Sequence, residues 1–284
     1  MKNLNNLKKL FNTYKIDGYI IPKNDEFFGE YIPESKDNLK FISNFSGSYG
    51  FALILKNKNY LFVDGRYTLQ AKIQSGRLFK IVTIPDKLPY EVLKNENISI
   101  GFDPKLHTES TLTNVFKKTN FKLKPINKNL VNKIWRRKIN NKSNKFYKLK
   151  NNVVGEGSNS KIKKLSKILK KNKVNFQFIT APENIAWILN IRGADSEFSP
   201  IPNSYLIINN KKTVFLFCDL KKIDSKFKQN LNKNIKVVNI NSFDHFASKI
   251  KNKYVQLDSS TCSIFLKNII KKKNKIEEKN NKIY

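Results

Sequence analysis

The sequence FISNFSGSYGFALILKNKNYLFVDGRYTLQA, which occupies Phe41–Ala71, decides the fold class of this chain. After a glycine-flanked turn, where we expect backbone with positive φ, come two apolar runs, Phe51–Leu55 and Tyr60–Val63. The polar residues between these runs predict the turn of a β-hairpin. The second run ends at DGRY, and residues typical of a helix follow it directly. A hairpin that leads into a helix indicates an α/β domain.

Asp64 and Arg66 stand at the end of the second predicted strand, where α/β folds often place functional groups. Their residue types have two interpretations. In the functional one, the charged pair belongs to a functional site at the end of the strand. In the structural one, Asp64 caps the following helix and Arg66 is a solvated surface charge. The spacing alone favours the structural interpretation.

The composition is that of a globular protein with room for two domains. The chain has 284 residues, of which 39% are hydrophobic and 12% aromatic. No apolar run approaches the roughly 20 residues of a membrane span, and the N-terminal segment lacks the apolar stretch of a secretory signal. We therefore expect a cytoplasmic protein without a membrane partner. Two cysteines, Cys218 and Cys262, are too few for a disulfide framework and are expected to be buried thiols.

The net charge of +33 would ordinarily suggest a nucleic-acid partner. Nearly all of the excess is lysine, it accompanies abundant asparagine and isoleucine, and it is spread over the whole chain. That distribution is typical of a genome-wide codon bias. We expect weak, salt-sensitive adhesion to polyanions and no specific nucleic-acid partner.

Around the hairpin, the first half of the chain predicts one α/β unit. Apolar residues at helical spacing predict a helix over residues 4–15, which leads into a strand at Tyr19–Ile21. A loop rich in carboxylates and aromatic residues, DEFFGEYIP, separates this strand from the hairpin. Further strands and helices follow as far as Trp135.

The second half repeats the same pattern. A helix with Ile162 and Leu165 on one face leads into a strand at Phe176–Thr180, and a second predicted hairpin ends at Asp219. Asp219 therefore occupies the place that Asp64 holds in the first half. Between the halves, residues 136–157 are basic, rich in asparagine and without apolar periodicity, which predicts a linker. We predict two tandem copies of one α/β unit, over 1–135 and 158–284.

Six segments resemble, in order and spacing, the two N-terminal creatinase-like domains of Xaa-Pro aminopeptidases, also called aminopeptidase P, in their long three-domain form. They are DEFFGEYIP, FISNFSGSYG, FVDGRYTLQA, NLVNKIW, ITAPENIAWILNIRGAD and SYLII. The resemblance covers nearly the whole chain. It implies creatinase-like domain I over 1–135 and domain II over 158–284, each a mixed β-sheet flanked by helices.

The resemblance also implies a part in removing the N-terminal residue from peptides whose second residue is proline. In that family, the reaction belongs to a C-terminal pita-bread domain, in which two Asp, one His and two Glu hold two divalent metals, usually manganese. This sequence has no such set, and its two histidines, His107 and His245, are interpreted as surface or capping residues. We expect no metal in this chain and no hydrolysis by the chain alone.

Site residues are implied by the same resemblance. It places Glu30 and Arg66 toward the active site, with Asp25 and Asp64 as further substrate-binding candidates. A carboxylate can pair with the ammonium of a peptide, and an arginine with its carboxylate or carbonyl group. Alternatively, Glu30 and Arg66 pair with each other, or with Asp25 and Asp64, in a structural network. The family often has histidine after the first aspartate of DEFFGEY, whereas this chain has glutamate and phenylalanine there.

Three functions remain open from the sequence. The chain is the non-catalytic part of a Xaa-Pro aminopeptidase that shapes the substrate cleft or builds a homodimer, with a pita-bread catalytic domain as its partner. Alternatively, it is a free-standing module of creatinase-like fold that binds a peptide or a protein. The third function, binding to nucleic acid or an anionic surface, is the one that the lysine distribution disfavours. In ITAPENIAWILNIRGAD, Arg192 and Asp195 either line the cleft or stabilise their loop.

Overall fold

The chain forms two units in a computed structural model, which describes residues 2–93, 97–137 and 144–279. Unit 1 comprises Met1–Glu26 and Glu34–Asn140, and unit 2 comprises Phe27–Pro33 and Asn141–Tyr284. A single cut in the sequence does not separate them, because Phe27–Pro33 is flanked by unit 1 and belongs to unit 2. The predicted domain over 1–135 did not anticipate this segment.

Unit 1 is a mixed sheet with helices packed against it. Its helices are α1 (Lys2–Tyr14), α2 (Asn38–Ser43), α3 (Thr68–Ser75), α4 (Pro89–Val92), α5 (Glu109–Phe116) and α6 (Leu130–Ile134). Its strands are β1 (Gly18–Pro22), β2 (Gly50–Leu55), β3 (Asn59–Asp64), β4 (Lys80–Ile84), β5 (Ser99–Phe102) and β6 (Lys122–Pro125). Among the described residues they lie in the order β4-β3-β2-β1-β5-β6. The predicted hairpin is the antiparallel pair β2 and β3, with Phe51 opposite Phe62.

The core of unit 1 follows from the apolar periodicity of the sequence. The spacing of Leu4, Leu7 and Phe11 puts them on one side of α1, and all three are buried. Burial of each such side chain contributes about 1.5–3 kcal/mol relative to exposure. Gly50 has the expected positive φ, at 149°, and a Cβ atom there would lie 2.5 Å from the carbonyl oxygen of Phe62. Glycine therefore allows β2 to begin directly beside β3.

Unit 2 has the same layers. Its helices are α7 (Ser158–Lys171), α8 (Pro182–Leu189), α9 (Ser225–Asn230), α10 (Phe243–Lys249) and α11 (Ile264–Lys271). Its strands are β7 (Tyr147–Lys148), β8 (Phe176–Ile179), β9 (Ile191–Arg192), β10 (Tyr205–Asn209), β11 (Val214–Cys218), β12 (Ile235–Asn239), β13 (Tyr254–Leu257) and β14 (Lys275–Glu278). The main sheet of the described residues has the order β12-β11-β10-β8-β13-β14, and β7 pairs with β9 separately.

The two main sheets have one topology. In each, a central strand pairs antiparallel with the first hairpin strand, and the second hairpin strand pairs parallel with the next strand. On the other side of each central strand, two further strands are added in parallel. The tandem repeat of an α/β unit predicted from the sequence is thereby confirmed.

The segment assigned to a linker, 136–157, is corrected in its second half. Residues 138–143 lie outside the described residues. From residue 144 the chain belongs to unit 2, where β7 pairs with β9 and Phe146 is only 2% exposed. The segment has no apolar period because a single large side chain, Phe146, anchors it to the core while the lysines around it face solvent.

None of the helices within the described ranges combines the length and the apolar character needed to span a membrane.

Candidate functional site

The DGRY turn of unit 1 holds an arginine in a defined orientation at the end of β3. The carboxylate of Asp64 accepts hydrogen bonds from the backbone amide of Arg66 at 3.0 Å and from its Nε at 2.8 Å. The side-chain bond, followed by the backbone bond, lowers the pKa of Asp64 below its ordinary value. The Arg66 side chain is nevertheless 74% exposed. The pairing of Asp64 with Arg66, one of the alternatives left open by the sequence, is present, and it orients a guanidinium group that faces solvent.

The equivalent turn of unit 2 has the cap without the arginine. Asp219 accepts a hydrogen bond from the backbone amide of Lys221 at 2.9 Å, as Asp64 does from Arg66. Each aspartate thus begins a short 3-10 turn after the second hairpin strand. The sequence prediction that Asp219 takes the place of Asp64 is confirmed. The backbone cap is a shared feature of the fold, whereas the guanidinium group belongs to unit 1.

Asp25 is held in a structural network of unit 1. Its side chain is 4% exposed and lies 3.5 Å from the ammonium of Lys36, which also contacts Glu26 at 2.5 Å. Burial lowers the pKa of Lys36, but the charges of Glu26 and Asp25 and their hydrogen bonds outweigh it, so the pKa is raised. Nearby, Lys23 pairs with Asp37, and both side chains are buried. The structural alternative named Glu30 or Arg66 as the partner of Asp25, whereas the ion pair seen here joins Asp25 to Lys36.

Glu30 belongs to unit 2, whereas Asp25, Asp64 and Arg66 belong to unit 1. It is exposed, and its side chain has no ion pair among the residues that the structure describes. Its segment is anchored by Phe27, which is 8% exposed and packs at 5.2 Å, centroid to centroid, against the ring of Tyr205. Substrate binding by these four residues stays a prediction.

Unit 1 also contains a buried polar cluster that the sequence did not reveal. His107, interpreted as a surface or capping residue, is 1% exposed, and its Nδ1 lies 2.9 Å from the backbone carbonyl of Asp103. Burial lowers the pKa of His107 to about 4. Burial also raises the pKa of the Asp103 carboxyl, although Asn129 and the backbone amide of Lys105 donate hydrogen bonds to it. The aspartate directly after the predicted strand β5 was the available signal.

In unit 2, Arg192 and Asp195 stabilise their loop. Arg192 donates hydrogen bonds to the carbonyl groups of Ala186 and Ile191 at 3.1 and 2.9 Å. Asp195 forms an ion pair with Lys222, and its carboxylate also accepts a hydrogen bond from the backbone amide of Asn203 at 2.7 Å. These contacts account for both residues without a ligand.

A metal has no evident site in the part of the chain that the structure describes. No group of three or more His, Cys, Asp or Glu residues is arranged there to hold an ion. His107 contacts the backbone carbonyl of Asp103, and Cys218 and Cys262 are both buried. These residues do not fit a two-metal centre.

Comparison with known proteins gives matches to both halves of the chain. Two family models, each described as a creatinase/prolidase N-terminal domain, match residues 3–133 and 137–284. A probable Xaa-Pro aminopeptidase P of Laccaria bicolor is 30% identical over 240 residues, which are 81% of this chain and 37% of the relative. Xaa-Pro aminopeptidase 1 of Dictyostelium discoideum is 29% identical over 98% of this chain and 47% of its own length.

A solved structure has the same arrangement of elements. It is X-prolyl aminopeptidase from Caenorhabditis elegans, described as a cytosolic enzyme with a di-nuclear active site. Its TM-score is 0.86 at 25% sequence identity, and the match covers 98% of this chain and 50% of that protein. The chain thus spans half or less of the length of these three relatives.

Proposed function

Because the chain belongs to the creatinase/prolidase N-terminal domain family, we propose that it is the non-catalytic N-terminal portion of a Xaa-Pro aminopeptidase and forms a wall of the substrate cleft. The observation that carries this proposal is the match of both units together to the C. elegans enzyme, over 98% of the chain. The relatives named Xaa-Pro aminopeptidase supply the substrate class, peptides with proline in the second position.

The orientation of Arg66 supports a role in the cleft wall. A surface arginine without a partner samples many rotamers and loses that entropy when it binds. The bond from Nε to Asp64 restricts Arg66 beforehand, while most of its side chain stays exposed to solvent. An arginine held in this way can donate paired hydrogen bonds to a carboxylate or to a peptide carbonyl. Glu30 is exposed in unit 2, and its negative charge can pair with the terminal ammonium group of a peptide.

Hydrolysis is assigned to a catalytic domain, not to these two units. Two divalent metals, manganese in our proposal, would lower the pKa of a bridging water and polarise the scissile carbonyl group there. The described residues hold no comparable ligand set. The cytosolic location of the C. elegans enzyme supports a cytoplasmic location for this protein.

The test is peptidase activity on a short Xaa-Pro-Xaa peptide with added manganese. The chain would be assayed alone and then mixed with a separately expressed catalytic domain. We expect activity only in the mixture, and a decrease in kcat/KM of about tenfold or more for Arg66→Ala and Glu30→Gln. Lys221→Ala, at the position of Arg66 in unit 2, is the matched control and should leave activity unchanged. Activity of the chain alone, or an inactive mixture, would overturn the proposal.

A free-standing binding module is the second candidate. It is favoured by Leu69 and Ile73, which lie one turn apart on α3 and are 71% and 77% exposed. Such exposed aliphatic pairs are typical of surfaces that meet another protein. Specific peptide binding by the chain, together with an inactive mixture, would support this candidate over the first.

A further inference from the structure

Unit 2 has a cleft between the segment that contains β7 and the helix α9, called here the β7–α9 cleft. It encloses about 690 Å³, and sites for small molecules typically enclose about 300–1,000 Å³. The rings of Phe146 and Phe227, which line it, are buried and lie 6.2 Å apart, centroid to centroid. The charged side chains among its described lining residues are Lys145, Lys148, Lys150, Lys226 and Asp224. The cleft is therefore concave and positively charged.

Two of these lysines are held in place by backbone carbonyl groups. The ammonium of Lys145 donates to the carbonyl of Lys221 at 2.6 Å, and that of Lys148 donates to the carbonyl of Asn230 at 2.8 Å. An ammonium group has three N–H donors, so each lysine keeps donors for a ligand. Because these side chains are already restricted, they lose less conformational entropy when a ligand binds.

The other two lysines are exposed and available to a ligand. Among the residues that the structure describes, none forms an ion pair or a hydrogen bond with the side chain of Lys150 or of Lys226. The carboxylate of Asp224 accepts a hydrogen bond from the backbone amide of Phe227 at 2.7 Å and so caps α9. Four positive charges therefore face one negative charge, and that one is engaged by the backbone.

A second cleft of unit 2, called here the β14 cleft, shows that an abundance of lysine does not by itself produce this arrangement. It encloses about 780 Å³, and its charged lining residues are Lys267, Lys271, Lys275, Glu277 and Glu278. Lys267 forms an ion pair with Glu278 there. The lysine-rich composition thus gives a nearly balanced cleft at β14 and an excess of positive charge in the β7–α9 cleft.

We propose that the β7–α9 cleft binds a small polyanion of the polyphosphate class. Lysine binds phosphate as a point charge, whereas planar carboxylates are recognised best by the paired donors of arginine, and no arginine is among the described residues that line the cleft. Lysines on two separate segments favour a ligand with several phosphate groups. The inference concerns unit 2 alone and does not depend on the proposed function.

The test is isothermal titration calorimetry of the 284-residue chain with sodium triphosphate. NaCl at about 150 mM screens the diffuse adhesion that the net charge produces. We expect saturable binding that is about tenfold or more weaker in the double variant Lys150→Gln, Lys226→Gln. The matched control, the double variant Lys271→Gln, Lys275→Gln in the β14 cleft, removes the same charge and should bind as the wild type does.

Asp224→Asn should change the affinity in the opposite direction. Asparagine caps a helix about as well as aspartate, so the variant keeps α9 and removes only the negative charge. We expect it to bind triphosphate about two- to threefold more tightly. Glu277→Gln, in the β14 cleft, changes the net charge equally and should leave the affinity unchanged.

An absence of saturable binding would overturn the inference. Equal weakening in the two double variants would also overturn it, because that is the result of adhesion to net charge. Citrate should bind about tenfold or more weakly than triphosphate, and equal binding of the two would contradict the assignment to polyphosphate. Circular dichroism of each variant checks that a change in binding is not a loss of fold.

Titration with ATP distinguishes two sources of the polyphosphate. Tyr147 lines the cleft and is 51% exposed, so its ring is accessible to a base. Equal affinities for ATP and triphosphate would support the inference with an inorganic polyphosphate as the ligand. Tighter binding of ATP that Tyr147→Ala abolishes would support it with a nucleotide as the ligand.

Discussion

Units 1 and 2 have the same strand order and differ at equivalent positions after their parallel strands. After β5, the backbone carbonyl of Asp103 accepts a hydrogen bond from the amide of Leu106, and after β13 that of Asp258 accepts one from Thr261. The next residue is buried in both units, but it is His107 in unit 1 and Cys262 in unit 2. The repeat therefore preserves backbone geometry while it changes the chemistry of the side chain enclosed.

The DGRY turn and its equivalent in unit 2 also share backbone geometry and differ in a side chain, here at the surface. Both units keep the aspartate that caps the turn, and only unit 1 adds an arginine bonded to that aspartate. What both units share is best explained by folding. What one unit has alone is where a function specific to that unit should be sought.

The largest expected effect concerns the boundary of unit 2. Phe146→Ala removes a buried ring from a segment that the sequence assigned to a linker, and we expect it to lower the free energy of unfolding of unit 2 by about 3–5 kcal/mol. Urea denaturation can be followed by Trp187 fluorescence in a Trp135→Phe background, since each unit has one tryptophan. Val153→Ala, at an exposed position of the same segment, is the control. If both variants lowered the free energy of unfolding by the same small amount, the prediction of a linker would hold for this segment.

The next-largest expected effect is a dependence of the stability of unit 1 on pH. The pKa of His107 is about 4 in the folded protein, against 6.5 as its ordinary value. The unfolded chain therefore takes up the proton more readily. Stability from the neutral imidazole is fully present above pH 6.5 and is lost as pH falls toward 4, by on the order of 3 kcal/mol. Unit 1 should thus lose stability in acid more steeply than unit 2.

The variant His107→Cys, which installs the residue found at the equivalent position of unit 2, isolates this effect. It should remove most of the acid dependence between pH 6.5 and 5, whatever it does to stability at neutral pH. Asp103 has the opposite effect on stability in acid. Because its pKa is raised in the folded state, protonation of its carboxyl group at low pH favours folding. Trp135 fluorescence in a Trp187→Phe background gives the measurement. An unchanged slope in His107→Cys would contradict the assignment.

The smallest effect tests which part of the turn is shared. Asp64→Ala and Asp219→Ala each remove one backbone cap, so both should lower the stability of their own unit slightly and to a similar extent. The activity of the mixture with a catalytic domain should fall only for Asp64→Ala, because that variant also releases Arg66. Denaturation and peptidase assays on the same preparations give both values. Equal losses of activity would remove the functional distinction between the two turns.

The sequence predicted the features whose causes are local. Apolar runs separated by polar turns identified both hairpins, and helical spacing identified α1 and α7, because burial of one face imposes a regular period. The resemblance of six segments added the family. The two capping aspartates could also be identified from the sequence, because Asp64 and Asp219 each stand directly after a hairpin strand.

What the sequence did not predict depends on distant contacts. The place of Phe27 in unit 2 depends on Tyr205, far along the chain. The burial of His107 and the pairing of Asp25 with Lys36 likewise leave no periodic signal. Of the candidate site, only the Asp64 and Arg66 pair could be inferred from spacing, because its members are two residues apart.

Strands β6 and β14 were missed for a different reason, since their short, charged sequences, KLKP and KIEE, each contain a single Leu or Ile. Each is the last strand on one side of its sheet among the described residues. A foreign strand that added there would have to bring its backbone against lysine and glutamate side chains and displace their water. The lysine bias that obscured these strands in the sequence therefore discourages the molecule from aggregating through its sheet edges.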